Sequence, residues 1–313
     1  MLLPPRSRLG RYEIVAPLGS GGMGEVYRAR DPRLERDVAI KVLPERFATD
    51  RDLKLRFERE AKAAAALSHP HICSIFDVGV EGGFHFIVME YLDGETLADR
   101  MARGLLPLQS SIEYAVQVVD ALAEAHRHGV VHRDLKPSNM MVVRSGIKLL
   151  DFGVAKFRAS PLDDDGSAST RSLDTGRGVL LGTLQYMAPE QLSGRGADAS
   201  ADVFSVGVVL YELITGVAPF AADSRAGVIA AILDREPPPA SSFNAHIPIG
   251  LTRLVADCLE KQPRRRPTTE EATERLRTIS SAPEARLAAS AARPIEAPAI
   301  SGRHAVFDGT AQR

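Results

Sequence analysis

The chain has 313 residues, 25% charged and 44% hydrophobic, enough for one large globular domain or two modest ones. Its formal net charge of −1 gives no global field to draw nucleic acid or anionic lipid, so a nucleic-acid reader is disfavoured. Cys73 and Cys258 are far apart, lack metal-ligand spacing and sit in apolar contexts, as structural thiols do.

Residues 1–11 are basic and proline-containing, and are expected to be a flexible segment without the apolar core of a signal peptide. Tyr12-Glu13-Ile14-Val15 then opens an alternating strand running into Leu18-Gly19-Ser20-Gly21-Gly22-Met23-Gly24. Gly19, Gly21 and Gly24 have G-x-G-x-x-G spacing, and glycine tolerates the backbone angles that let N–H groups close over phosphates. In a dinucleotide-binding Rossmann turn the third glycine opens a helix. Here Glu25-Val26-Tyr27-Arg28-Ala29-Arg30 alternates like a strand, so the pattern is strand, glycine turn, strand.

Val38-Ala39-Ile40-Lys41-Val42-Leu43 reads as a buried strand carrying one lysine, a costly placement that demands a partner. Residues 52–67 lack Gly and Pro and are rich in Ala, Leu, Lys, Arg and Glu, which predicts a helix with Glu58 and Glu60 as candidate partners. His69, His71 and His85 come from a turn and a separate strand, and are read as structural rather than metal-binding. Strands are expected over 72–79 and 84–90, completing a five-stranded sheet.

From Thr96 the periodicity is helical, and a long helix over 108–129 buries Ile112, Ala115, Val116, Val119, Leu122 and Ala123, with Gly129 as its cap. His132-Arg133-Asp134-Leu135-Lys136-Pro137-Ser138-Asn139 follows. Within eight residues it offers a carboxylate to accept a hydroxyl's hydrogen bond, an ammonium to offset a transferring group's charge, and an amide oxygen for Mg²⁺, the needs of phosphoryl transfer. Two apolar runs, 140–143 and 147–150, separated by a polar turn, then deliver Asp151-Phe152-Gly153 to the same place.

Residues 160–178 are rich in Ser, Thr, Asp and Gly and bury too little apolar surface to order themselves. Helices are expected over 202–215, 227–233, 248–259 and 269–280, and residues 281–313 form an Ala/Pro/Arg-rich flexible tail. The most apolar stretch, 203–216, carries Tyr211 and Glu212 and is shorter than the roughly 20 residues that span a bilayer.

This ordered set of motifs over roughly 12–280 resembles the protein kinase catalytic domain, and more narrowly the bacterial Ser/Thr kinases of eukaryotic type. The resemblance implies an α+β, two-lobed protein-kinase fold: a small lobe (12–89) with a five-stranded antiparallel sheet and one main helix, a hinge (90–93), and a larger, mainly helical lobe (94–280). The implied activity is transfer of the ATP γ-phosphate to Ser/Thr hydroxyls of proteins, with Mg²⁺, and autophosphorylation of the 160–178 loop. Asp134 and Lys136 serve the transfer, Lys41 holds the ATP α/β-phosphates, and alignment of the helix selects Glu60 as its partner. Leu18, Gly19, Gly21, Gly24, Val26, Ala39, Met89, Glu90, Leu92 and Met141 surround ATP. The hinge acts there through its backbone and makes no demand on side chains.

By the same resemblance Asn139 and Asp151 hold Mg²⁺, Thr183 faces the substrate, and Glu190, Asp202 and Arg266 are structural. Thr175 leads the candidate phosphosites, followed by Ser172 and Thr170, with Ser160, Ser167 and Ser169 also in the loop. Arg133 would pair with the added phosphate. Phe204 stands where many relatives have Trp, and Ala64 where they pack a larger apolar residue. The small side chain predicts a less firmly docked helix, settled by dimer contacts or phosphorylation, an expectation that Ala64→Leu tests.

A cytoplasmic location is expected, either for this chain or as the cytoplasmic part of a longer membrane-anchored protein, and the resemblance allows a homodimer through the small lobe. Two competing classes are a pseudokinase scaffold and a small-molecule kinase. The first has no chemical need of Lys41, Glu60, Asp134, Asn139 and Asp151, and the second none of the extended segment ending in Ala188-Pro189-Glu190.

Overall fold

The computed structural model describes residues 3–21, 24–44, 51–152 and 184–282. Gly153, Thr183, the candidate phosphosites and the 283–313 tail lie outside the described residues.

Seven segments form strands in the first third of the chain. They are β1 (Arg8–Leu9), β2 (Tyr12–Gly21), β3 (Gly24–Asp31), β4 (Arg36–Val42), β5 (Ile75–Glu81), β6 (Phe84–Glu90) and β7 (Gly94–Thr96). The first six make one antiparallel sheet in the order β1-β2-β3-β4-β6-β5. The sheet thus has one strand beyond the five expected, and residues 8–11 belong to it rather than to a flexible segment. The reason is burial: Leu9 is only 2% exposed, packed with Tyr12, Ile14, Tyr27 and Phe86, and Arg6 donates its backbone N–H to Ile14.

Strand periodicity gives this sheet two apolar faces. Tyr27, Ala29, Val38, Ile40, Val42, Phe86 and Val88 pack on one face. The alternate positions Val26, Ala39, Lys41, Ile87 and Met89 share the other, since Val26 pairs with Lys41, Lys41 with Ile87, and Ala39 with Met89. Helix α1 (Arg51–Ala65) lies between β4 and β5 in sequence, and its Ala61 packs with Leu43 and Ile87.

The larger region is built on α2 (Leu97–Ala102), α3 (Leu108–Arg127), α4 (Pro189–Leu192), α5 (Ala199–Thr215), α6 (Arg225–Asp234), α7 (Ile249–Cys258) and α8 (Thr269–Ser281). Helix α5 is apolar nearly all round and correspondingly buried, from Ala201 to Thr215 with the exception of Glu212. It begins at an Asp198 cap and ends at Gly216, whose φ of 78° is the left-handed conformation that glycine takes without strain. Between α3 and α4, the short strands β8 (Met140–Val143) and β9 (Gly146–Leu149) pair with β7 in a second, three-stranded sheet. One continuous core joins α3, α5, α7 and β8–β9 and reaches up to Ala64 and Leu67 of the first region.

Candidate active site

Four backbone segments bring the expected residues together. The first is the β2–β3 hairpin, where Gly21 pairs with Gly24. A Cβ at Gly24 would lie 1.9 Å from the Val42 carbonyl oxygen, and its φ is 114°, so both space and backbone angle require glycine there. The hairpin is thereby held against the end of β4, next to Lys41. Leu18 stands 48% exposed on β2.

The second segment is β4 itself. Lys41 is 4% exposed, and its Nζ lies 2.7 Å from Asp151 Oδ2. Lys41 is thus ion-paired with Asp151, the metal-ligand candidate. Glu60 is half-buried on α1, four residues before Ala64.

The third is the 132–139 loop. Asp202 at the buried start of α5 accepts the backbone N–H groups of His132 (2.8 Å) and Arg133 (2.7 Å), and also pairs with His126 Nε2 at 2.8 Å. These three hydrogen bonds to Asp202 fix the loop against α5 and α3, a buried network of the kind that rigidifies a site. The His132 Nε2 carries the proton, because it faces the Leu150 carbonyl at 2.8 Å while Nδ1 accepts from Asp134 N–H at 3.3 Å. Its ring packs 4.7 Å from that of Phe152. Gln191 Nε2 donates to the Arg133 carbonyl, linking the loop to α4.

Inside the loop, Lys136 Nζ donates to Asp134 Oδ2 at 2.8 Å. Asn139 Nδ2 donates to the Asp134 carbonyl at 2.8 Å and to Asp134 Oδ2 at 3.1 Å. Both amide hydrogens of Asn139 are thus turned toward Asp134, leaving its carbonyl oxygen as the donor for a cation. Arg133 and Asp151 hold φ values of 66° and 60°, a strained backbone for non-glycine residues that clusters at functional sites.

The fourth is the β6 end and hinge, with Met89 and Met141 half-buried and Ala39 buried. The Glu90 side chain, expected to be indifferent, is held in place: its Oε2 accepts from Lys148 Nζ at 2.7 Å and from Ser74 N–H at 3.4 Å. Lys148 also donates to the Ile72 carbonyl, so it ties the hinge to β9, three residues before Asp151. Sequence reasoning missed Lys148, His126 and Gln191. Lys148 leaves one signal, a lysine in an otherwise apolar run just as in β4.

Behind Met89, a cavity of about 20 Å³ is lined by Ala64, Cys73, Ile75, Asp151 and Phe152. Burial pushes the Cys73 thiol up to about 12, so it is inert there. Away from the reacting groups, Arg266 forms a buried double pair with Glu190, at 2.6 and 2.9 Å.

A carboxylate at an acceptor position, a lysine beside it, and an amide oxygen and second carboxylate for a cation, all facing a glycine hairpin, define a phosphotransferase of the protein kinase class. By comparison, residues 12–276 match the protein kinase domain family, and the chain belongs to that family. Within it the chain is a bacterial Ser/Thr protein kinase domain of eukaryotic type. It is 41% identical over 272 residues to the serine/threonine-protein kinase PknB of Mycobacterium leprae, covering 85% of this chain and 42% of that protein. To the serine/threonine-protein kinase pkn3 of Myxococcus xanthus it is 42% identical over 272 residues, covering 84% of this chain and 48% of that one. The chain spans less than half the length of these curated relatives. Among solved structures, the kinase domain of Mycobacterium tuberculosis PknI superposes with a TM-score of 0.71 at 27% identity, covering 90% of this chain and 100% of that chain.

Proposed function

We propose that this protein transfers the γ-phosphate of ATP to serine or threonine hydroxyls of proteins, including those of its own 160–178 loop. The observation that carries the reading is the convergence of Lys136 and Asn139 on Asp134 in a loop anchored by Asp202, with Lys41 and Asp151 paired across the cleft.

In this reading Asp134 accepts the substrate hydroxyl's hydrogen bond and aims its oxygen, while Lys136 offsets charge on the transferring group. Lys41 exchanges part of its contact with Asp151 for the α/β-phosphates, and Glu60 on α1 steadies it. The donor set of one carboxylate and one amide suits Mg²⁺, a hard ion that takes few protein oxygens and completes its shell with phosphates and water. Bound there, the ion supplies neutralisation of the β- and γ-phosphate charge. Adenine lies between Val26 and Ala39 above and Met141 below, with Met89 behind and the hinge backbone at its edge.

Thr175, Ser172 and Thr170 are the proposed phosphosites and Thr183 the contact to the acceptor. A homodimer through the small lobe is part of the proposal, with the exposed Leu34 and Phe76 on that lobe as candidate contacts. No helix among the described residues is long and apolar enough to cross a membrane, and a cytoplasmic position, with ATP at hand, suits the chemistry.

The test is incubation of the purified chain with Mg²⁺ and γ-labelled ATP beside Asp134→Asn and Lys41→Met, with phosphate mapped by mass spectrometry. Label on residues 160–175, absent from both variants, is the expected result. ATP binding without label on the loop or on a generic protein substrate would favour the scaffold.

A further inference from the structure

One row of residues runs across β3, β4 and β6 on the cleft-facing side of the small sheet. Arg28 pairs with Ala39, and Ala39 with Met89, and strand alternation puts Arg28 on the same face as Val26. In the reading above Met89 lies behind adenine and Ala39 over it, so Arg28 stands third in the row, at the front, where the slot opens. Its side chain is long and 40% exposed, and it takes no part in the chemistry described above.

The Arg28 side chain is nonetheless held. Its Nε donates to Asp37 Oδ2 at 2.9 Å and its Nη2 to the same oxygen. Hydrogen bonding from Arg28 keeps the Asp37 carboxyl below the ordinary carboxylate range, so both partners stay charged near neutral pH. With the fork pinned at its edge, the guanidinium carbon lies 5.0 Å from the centre of the Tyr91 ring, the arrangement of a cation–π contact. Tyr91 belongs to neither sheet, since β6 ends at Glu90 and β7 begins at Gly94. Lys148 fixes the Glu90 end of this link, and Arg28 reaches one residue further, from the roof of the slot to the hinge.

We propose that Arg28 is a positioning residue for the nucleotide, a clasp closed across the mouth of the adenine slot, with Asp37 as its anchor and Tyr91 as its catch. Bound adenine needs roof and hinge at one spacing, because its faces press on Val26, Ala39 and Met141 while its edge meets the hinge backbone. A segment outside any sheet samples other spacings, and affinity falls with the fraction of unsuitable ones. By tying Tyr91 to the roof, Arg28 keeps the slot ready for the base before ATP arrives. The inference rests on the ATP reading of this cleft and adds to it a residue that tunes affinity for the base, apart from the phosphates.

The experiment measures KM for ATP and kcat on the full chain with Mg²⁺ and a generic protein substrate, using adenosine and tripolyphosphate as competing probes of the base and phosphate ends. Arg28→Leu and Tyr91→Leu should each raise KM for ATP and the inhibition constant of adenosine by roughly two- to fivefold, the worth of an exposed cation–π contact, with kcat and tripolyphosphate inhibition unchanged. The double variant should match the single ones, because both remove the same contact, and Tyr91→Phe, which keeps the ring, should behave as the unaltered chain. In Arg28→Leu the Asp37 carboxylate keeps Arg30, 3.2 Å away, so no charge is stranded. Thermal midpoints check this, and Tyr91→Leu carries the test if Arg28→Leu loses stability. Unchanged adenosine inhibition in the single variants, effects that multiply in the double variant, or equal weakening of adenosine and tripolyphosphate overturns the clasp alone. Absence of ATP binding by the unaltered chain overturns the ATP reading and the clasp with it.

Discussion

Arg266 and Lys41 are both buried cations paired with a carboxylate within 2.7 Å, yet they are held differently. The Arg266 guanidinium places all five of its N–H donors: two on Glu190 and the rest on the carbonyls of Ser200, Glu260 and Lys261. With Arg266 fully buried and Glu190 nearly so, the planar fork is saturated and cannot change partner without leaving charges stranded. Lys41 instead presents a compact ammonium on a flexible stem to Asp151, whose carboxylate is 23% exposed toward the cleft. The first pair is a strut joining α4 to the segment before α8. In the proposed function the second is a clamp that exchanges a carboxylate for phosphate. Equal distance conceals opposite purposes, and the number of satisfied donors separates them.

The largest expected effect is at Asp134, in the candidate site itself. Asp134→Asn keeps shape and hydrogen bonds but removes the acceptor's charge, and kcat should fall by about 10²–10⁴-fold with ATP affinity nearly unchanged, read by steady-state kinetics and nucleotide titration. Arg266→Met leaves Glu190 buried without its cation, and should cost about 3–5 kcal/mol in denaturant unfolding. If the strut description holds, catalysis by the fraction still folded stays close to normal.

Lys41→Met tests the other arm: kcat/KM for ATP should drop about 10²-fold while stability falls by less than in Arg266→Met, because Asp151 reaches water. A loss of stability equal to that of Arg266→Met would erase the distinction between strut and clamp. The smallest effect is expected at Ala64. The adjoining gap of about 20 Å³ suits a methyl or two, so Ala64→Val should stabilise by about 1 kcal/mol, whereas the bulkier Ala64→Leu must displace Phe152 or Met89. The thermal midpoint of each variant, with activity before loop phosphorylation, reads both the packing and the proposed looseness of α1.

Much of the site was legible because its chemistry dictates residue type at short spacing. Asp134, Lys136 and Asn139 lie within six residues, and no tertiary knowledge is needed to see that a carboxylate, an ammonium and an amide there will meet. Lys41 was legible by its cost, a charge inside an apolar strand. Helix α5 and the β8–β9 hairpin were equally plain from their apolar runs, though α5 begins three residues earlier than expected, at the turn that its Asp198 cap forms. The β1 strand was not legible, since two residues carry no periodicity and Leu9 is recruited only once the rest of the sheet offers it a surface.

What the sequence determined by itself is therefore the local part: strands and helices from their periods, the glycine hairpin, and the cluster of polar side chains around Asp134. What the tertiary structure decided is partnership across distance. Lys41 meets Asp151, Glu90 is held by Lys148, Asp202 gathers His126, His132 and Arg133, and Arg28 reaches Tyr91. A side chain's type announces that it needs a hydrogen bond or a counter-charge once buried. Which group answers that need depends on packing between segments 58 to 110 residues apart, as with Glu90–Lys148 and Lys41–Asp151, and short-range pattern carries no record of it.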